Sequence, residues 1–364
     1  MADLARVLGT GRRRVATIGT LAVLALGTLY GLVRPESTPG ILLETLFTTN
    51  TLASTLRLSV PIALAALGGI FSEKSGVINI GLEGLLIISA FSAIVAAQST
   101  GSLWLGFAGG VLASVMLAGL FGVVCIEFRA DQIIAGLAVW LIALGLAPFA
   151  ATVLYGQPNV SLTAAETPPT LTEVVAPIPG LSGLVESLSE ITFVGALFDA
   201  GVTVYMMFLL VGVSWYLLNR TTFGRWVRAS GENPKALDTA GVSVSRVRYA
   251  AVLLSGVFSG LGGAALSLDL ATFGGNGQTM VNGKGFIAIV AYLFGNYNPI
   301  GAFLSTILFA GLDALQNGLQ IADIAVPSQL IRAIPFVMVI VVLALFGRTR
   351  LPSAAGEHYE SGEE

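Results

Sequence analysis

An all-α bundle of about ten membrane-spanning helices is the fold class this sequence predicts, on three observations. The chain is 55% hydrophobic and 11% charged, where an ordinary soluble protein carries roughly 25% charge. Its mean hydropathy is +0.85, and the apolar residues fall into runs of about twenty, the length that crosses a bilayer core of about 30 Å. Its 44 glycines are costly in water-exposed helices but suit spans whose backbones approach closely in lipid.

The elements follow in order. Arg12, Arg13 and Arg14 precede an apolar run at 15–33. That run is long for a signal peptide and ends in Tyr30, Leu32 and Val33 without a small-residue cleavage site, so it reads as a retained first span. Further spans are expected at 51–71, 82–99, 103–126, 133–154, 197–218, 247–270, 285–296, 299–318 and 329–346. The eighth is short for an unbroken crossing and is ended by Asn296, Asn298 and Pro299, so a broken or re-entrant segment competes with a span there.

Charge orients the spans. Arg6, Arg12 to Arg14, Lys74, Arg129, the basic residues between Arg220 and Arg248, Arg348 and Arg350 all fall on one face, which the positive-inside rule makes cytoplasmic. The connection 156–198 has no Lys or Arg but carries Glu166, Glu173, Glu186 and Glu190, so it belongs outside. Arg34, Lys284 and Arg332 dissent, with Lys284 falling on the outer side. The expected organisation is a basic cytoplasmic segment 1–14, a transmembrane domain 15–347 and an acidic cytoplasmic tail 348–364, with both termini inside the cell.

Several function classes drop out. The single cysteine, Cys125, lies in an apolar run and the single histidine, His358, in the tail, so neither a disulfide nor a Cys/His metal site is expected. There is no GxxxxGK[ST] phosphate loop, no HExxH and no GxSxG, and no basic surface for nucleic acid. The chain is therefore expected to be no enzyme, to need no cofactor and to contact lipid.

Three segments stand out. In SEKSGVINIGLEG, 72–84, Asn79 and Glu83 share one face if helical, and Gly81 and Gly84 permit close approach. A carboxylate at mid-membrane costs roughly 2.5–3.5 kcal/mol, so Glu83 either faces a transport path or is structural glue, paired with Lys74 or with a neighbouring helix. The stretch 219–248 holds Arg220, Arg225, Arg228, Lys235, Arg246 and Arg248, a third of the 18 basic residues. It is punctuated as a loop, a short helix and a second loop: Asn233 caps, Pro234 takes the first helical position and Gly241 terminates. Ala236, Leu237 and Ala240 give a helix of about two turns an apolar stripe that needs a docking surface. A solvated basic loop is the alternative. In GKGFIAIVAYLFGNYNPIGA, 283–302, Asn296 and Asn298 mark a helix break or a tight turn. The Gly/Asn clusters around Asn79 and around Asn296 correspond weakly, as matching breaks in two halves of a transporter do. Asn79, Glu83, Asn296 and Asn298 are thus candidates for a translocation path or its helix breaks.

Taken together, these segments resemble the permeases of ABC importers in the group that handles branched-chain amino acids, simple sugars and nucleosides, and most of all the nucleoside and simple-sugar branch. The resemblance runs from Thr51 to Gly347 and rests on FSEKSGVINIGLEG, GENPKALDTAGVS and the third segment. It implies a type II-like helical permease that pairs with a second, similar or identical permease, binds ABC ATPase subunits and accepts substrate from an extracellular substrate-binding lipoprotein. It further implies that Arg228, Gly231, Glu232, Asn233, Pro234, Lys235 and Gly241 form a coupling helix seated in the ATPase. The loop 156–198 and the tail after Arg350 depart from the family pattern. An ion-coupled secondary transporter and a non-transporting assembly subunit are the competing classes; scarce intramembrane charge argues against the first.

Overall fold

The computed structural model describes residues 26, 28–34, 37–46, 48–178, 180–191, 193–321 and 350–360. The basic segment 1–14, most of the first expected span, all of the tenth, Arg332 and Arg348 lie outside the described residues.

The chain is helical nearly throughout. After α1 (Thr38–Leu46) come α2 (Thr49–Lys74), α3 (Leu82–Thr100), α4 (Leu103–Gly122) with a π-helical turn Val123–Glu127, and α5 (Gln132–Tyr155). The connection that follows carries a two-residue strand β1 (Val160–Ser161), α6 (Leu171–Val175), α7 (Leu181–Ser189) and a 3-10 turn Val194–Leu197. Then come α8 (Val202–Arg220), α9 (Thr222–Glu232), α10 (Pro234–Thr239), α11 (Val244–Asp269), strand β2 (Thr272–Phe273), α12 (Lys284–Phe294) and α13 (Pro299–Ile321). Among the described residues seven helices are long and apolar enough to cross a membrane: α2, α3, α4 with its π turn, α5, α8, α11 and α13; α12 is shorter.

The bundle has a centre and a rim. α11 packs on α2, α3 and α4, and 83% of the most apolar window of α2 and 78% of that of α11 is buried, against 28% for α5 and 33% for α4 and α8. The rim helices therefore present their exposed Leu, Ile and Met side chains to lipid. Glycine makes the centre tight: a Cβ on Gly263 of α11 would stand 2.4 Å from the Leu86 carbonyl of α3.

The two ends of the bundle differ. At one, β1 pairs antiparallel with β2 (Val160↔Phe273, Ser161↔Thr272), tying the loop after α5 to the loop after α11. At the other lie Lys74, the α9–α10 segment and residues 350–360, joined by the contacts described below.

Two segments interrupt the helices from opposite ends. Residues 75–81 are non-helical yet mostly buried, and Asn79 Nδ2 donates to Ser255 Oγ at 3.1 Å. Ser255 also abuts Gly68, six residues before Lys74, so this stretch folds back about 9 Å from the end of α2 before α3 begins. From the other end, 274–283 descends without helix and starts α12 deep in the bundle. Lys284 is thereby corrected: it is 8% exposed beside Glu83 rather than on the outer side, with Nζ 3.3 Å from the Val281 carbonyl. Charge counting failed there because the descending segment is too polar and glycine-rich to register as membrane-embedded.

Candidate coupling and translocation site

Glu83 stands where the two interruptions meet. It lies in the first turn of α3, and its Oε1 accepts the Gly283 N–H at 2.7 Å while Oε2 accepts the Gly285 N–H at 2.6 Å. One carboxylate therefore faces the N-termini of α3 and α12, where free N–H groups and the helix dipoles favour negative charge. The approach requires glycine: a Cβ on Gly285 would sit 2.4 Å from the Glu83 nitrogen. Gly283 takes a left-handed φ of 84°, which aims its N–H at the acid. Glu83 is 2% exposed with both oxygens occupied, and its partners are these amides rather than Lys74.

Asn79 sits one turn of chain earlier, its side chain bridging the Gly81 N–H at 3.0 Å and Ser255. The same break also holds Ile78, whose N–H donates to Gln132 Oε1 at 2.7 Å.

Asn296 and Asn298 lie at the opposite end of α12, apart from Asn79 and Glu83. Asn296 and Tyr297 adopt left-handed φ of 51° and 56°, and Asn298 Oδ1 accepts the Ile300 N–H, so these residues make the tight turn between α12 and α13. Between them, the Tyr292 and Tyr297 hydroxyls both donate to the buried Glu73 carboxylate, pinning this turn to the end of α2. Burial and the Glu73 charge push the Tyr297 phenol well above its ordinary value, so it remains a donor. Glu73 and both tyrosines escape sequence reading because nothing in the spacing of 73, 292 and 297 links them.

The polar segment is more helical than its punctuation implies. The stretch read as a first loop is α9, capped by Thr221 Oγ1 on the Gly224 N–H, with Gly224, Val227, Ser230 and Gly231 on its buried face. Those residues are mostly small, so the face offers no apolar stripe to read. α9 leans on the first break: Ser230 Oγ donates to the Ser75 carbonyl at 2.7 Å, and a Cβ on Gly231 would lie 2.3 Å from the Lys74 carbonyl. Asn233 then caps α10 through the Ala236 N–H, Pro234 opens it and Gly241 leaves it with φ 79°. Leu237 is buried, whereas Ala236 and Ala240 of the expected stripe are exposed. Glu232, Asn233 and Lys235 are exposed and Arg228 and Pro234 half-buried, so this edge presents polar groups outward.

Residues 350–360 strap this segment to the break. The Ala354 N–H donates to the Gly231 carbonyl at 2.8 Å and the Gly356 N–H to the Gly76 carbonyl at 3.0 Å. Arg248, 4% exposed, donates from Nη1 to the Glu357 carbonyl at 2.8 Å. Ser353 donates to Glu232 and Tyr359 to Asp238, each at 3.0 Å, and Glu360 forms an ion pair with Arg129. Nothing in the tail's acidic composition predicts this strap, because backbone groups and two hydroxyls make every one of these ties but the last.

Comparison with known proteins shows the family. The family model described as "Branched-chain amino acid transport system / permease component" matches residues 51–343. The nucleoside ABC transporter permease protein NupC of Lactococcus lactis subsp. cremoris is 35% identical over 318 residues, 84% of this chain and 95% of that protein. The guanosine ABC transporter permease protein NupQ of Bacillus subtilis is 34% identical over 325 residues, 85% of this chain and 96% of that protein. The glucose ABC transporter permease protein TsgB13 of Haloferax volcanii is 26% identical over 333 residues, 90% of this chain and 83% of that protein. No solved structure matches the chain. With seven helices fit to cross a membrane among the described residues and a family model covering most of its length, the chain belongs to the branched-chain amino acid transport system permease family, as a multi-pass membrane subunit.

Proposed function

We propose that this chain is the permease subunit of an ATP-driven importer of nucleosides, driven by a separate ATPase that docks on the α9–α10 segment. The observation that carries the substrate class is identity of 34–35% along nearly the full length of two permeases named for nucleoside and guanosine transport. The geometry supports the coupling role. An exposed polar edge at Glu232, Asn233 and Lys235 sits on the buried residues Ser230 and Gly231, which bear on the 74–76 turn. From there the chain runs through Asn79 to Glu83 and the start of α12. A push on α10 is thus passed to the junction of two interrupted helices at Glu83 and Gly283.

On this reading Arg228, Gly231, Glu232, Asn233, Pro234, Lys235 and Gly241 form the coupling element. ATP binding biases the bundle between inward-open and outward-open states, a two-state element moved by a partner's ligand. Glu83 and Asn79 act as the pivot, and Asn296 and Asn298 as its far hinge. On the same reading this chain contributes about ten spans with cytoplasmic termini, a transmembrane domain 15–347 and an outward-facing loop 156–198, and the full assembly adds a second permease, ABC ATPases and an extracellular substrate-binding lipoprotein. Simple sugars are the second reading, favoured by the likeness to a glucose permease.

Reconstitution with the ATPase and binding protein tests the proposal by nucleoside uptake and nucleoside-stimulated ATP hydrolysis. No stimulation by nucleosides, with stimulation by a hexose, would transfer the chain to the sugar reading; none by either would defeat both.

A further inference from the structure

At the β1–β2 end, a cavity of about 430 Å³ opens between α2, α8 and the end of α11, within the size range of small-molecule sites. Its walls carry three charged side chains, Arg57, Asp199 and Asp269, together with Thr203 and Asn50. Its roof is built: the Thr170↔Gly201 bridge and the Val202 N–H donating to the Pro169 carbonyl at 2.9 Å hold the loop over it. None of these residues serves the coupling segment or the Glu83 junction.

Arg57 makes this cavity hard to read as a lipid groove. It lies eight residues into α2, about 12 Å along the helix, and is exposed. A guanidinium there is expensive against hydrocarbon, so it faces water or a polar ligand. Asp269 attracts it electrostatically, yet among the described residues the only ion pair within 4.0 Å is Arg129–Glu360, so the two charges face the cavity without closing on each other. Asp269 Oδ2 accepts from Thr203 Oγ1 at 2.9 Å, which fixes the carboxylate, and among the described residues Oδ1 accepts no hydrogen bond. The cavity thus offers a fork of donors and a held acceptor, with two carboxylates against one guanidinium.

We infer that this cavity is a receiving site for a neutral, hydroxyl-bearing solute of nucleoside size, with Asp269 accepting from a vicinal diol and Arg57 donating to a carbonyl or ring nitrogen. The excess of carboxylate disfavours phosphorylated forms, so nucleosides enter and nucleotides do not. Occupancy is linked to the coupling end through α11, which carries Asp269 at one end of the helix and Ser255, the partner of Asn79, within it. The inference rests on the nucleoside reading above and adds the place and the chemistry of recognition.

The sequence supplies a clean assay, because Cys125 is its only cysteine and is 1% exposed. Ala53→Cys puts a thiol on the cavity wall, and the complete transporter carrying it is labelled from outside with a membrane-impermeant thiol reagent while guanosine uptake is measured in parallel. The expected result is labelling slowed by guanosine but not by guanosine monophosphate or 2′,3′-dideoxyguanosine. Asp269→Asn, which keeps the shape of the side chain, should weaken guanosine protection about tenfold. Arg57→Lys should weaken it for guanosine while retaining charge. Labelling indifferent to guanosine in a preparation that takes guanosine up, equal protection by the dideoxy compound, or absence of labelling at the introduced thiol would each overturn the site. A preparation that takes up no nucleoside would instead overturn the substrate reading on which it stands.

Discussion

The Glu83 junction and the α9–α10 segment both hang on charged residues in an apolar chain, but they handle charge in opposite ways. At the junction one carboxylate is 2% exposed, and both its oxygens are spent on backbone amides. At the segment Glu232, Asn233 and Lys235 are exposed, and the neighbouring strap ties on through one backbone amide at Gly231 and the Ser353 and Tyr359 hydroxyls. A buried carboxylate with both oxygens bonded to backbone amides is fixed in place, because releasing it strands donors in a medium without water. An exposed charge exchanges water for a partner at little cost, which suits a surface that engages and releases another protein. The first region is built to hold and the second to be handled.

The largest expected effect breaks the first half of that contrast. Glu83→Ala leaves the Gly283 and Gly285 amides without acceptors and should cost about 2–6 kcal/mol, read as a lowered melting temperature of the detergent-solubilised protein. Glu83→Gln keeps one acceptor oxygen and should recover roughly half. Indifference to both substitutions would mean that the junction does not hold the broken helices together.

Next in size is Gly231→Ala, whose Cβ would lie 2.3 Å from the Lys74 carbonyl. Overpacking of this kind costs about 1–3 kcal/mol, and since the contact joins α9 to the break, transport should fall along with stability. Gly231→Pro therefore disturbs packing as well as coupling, which makes it a poor probe of coupling alone.

Deleting the strap after Leu351 removes the amides that hold Gly231 and Gly76, each net bond being worth about 1 kcal/mol. Uptake per ATP hydrolysed should drop while the spans stay folded, measured as the ratio of the two rates in proteoliposomes. Glu232→Arg isolates the exposed edge: it forfeits one hydrogen bond to Ser353, should change stability by no more than about 0.5 kcal/mol, and should uncouple hydrolysis from uptake. Unaltered coupling in both would leave the α9–α10 segment a plain connector. The smallest effect belongs to Arg129→Ala. Its ion pair with Glu360 is half exposed on both sides, and its loss should shift unfolding by about 0–1 kcal/mol and vanish in high salt.

Composition and run length alone determined that this is a helical membrane bundle, because lipid leaves the backbone few ways to satisfy its hydrogen bonds. Local rules also placed the seven described spans and the cap, first proline and terminating glycine of α10 at Asn233, Pro234 and Gly241, since each depends on neighbours within one turn. The tertiary structure alone decided what Glu83 touches, two hundred residues away at Gly283, and that 75–81 is a buried non-helical stretch whereas Asn296 and Tyr297 make a tight turn. It alone set Glu73 between two tyrosines, strapped the tail over Gly231, and brought Arg57 and Asp269 to one cavity. Such contacts follow from how helices cross and where they break, and no periodicity along the chain records that.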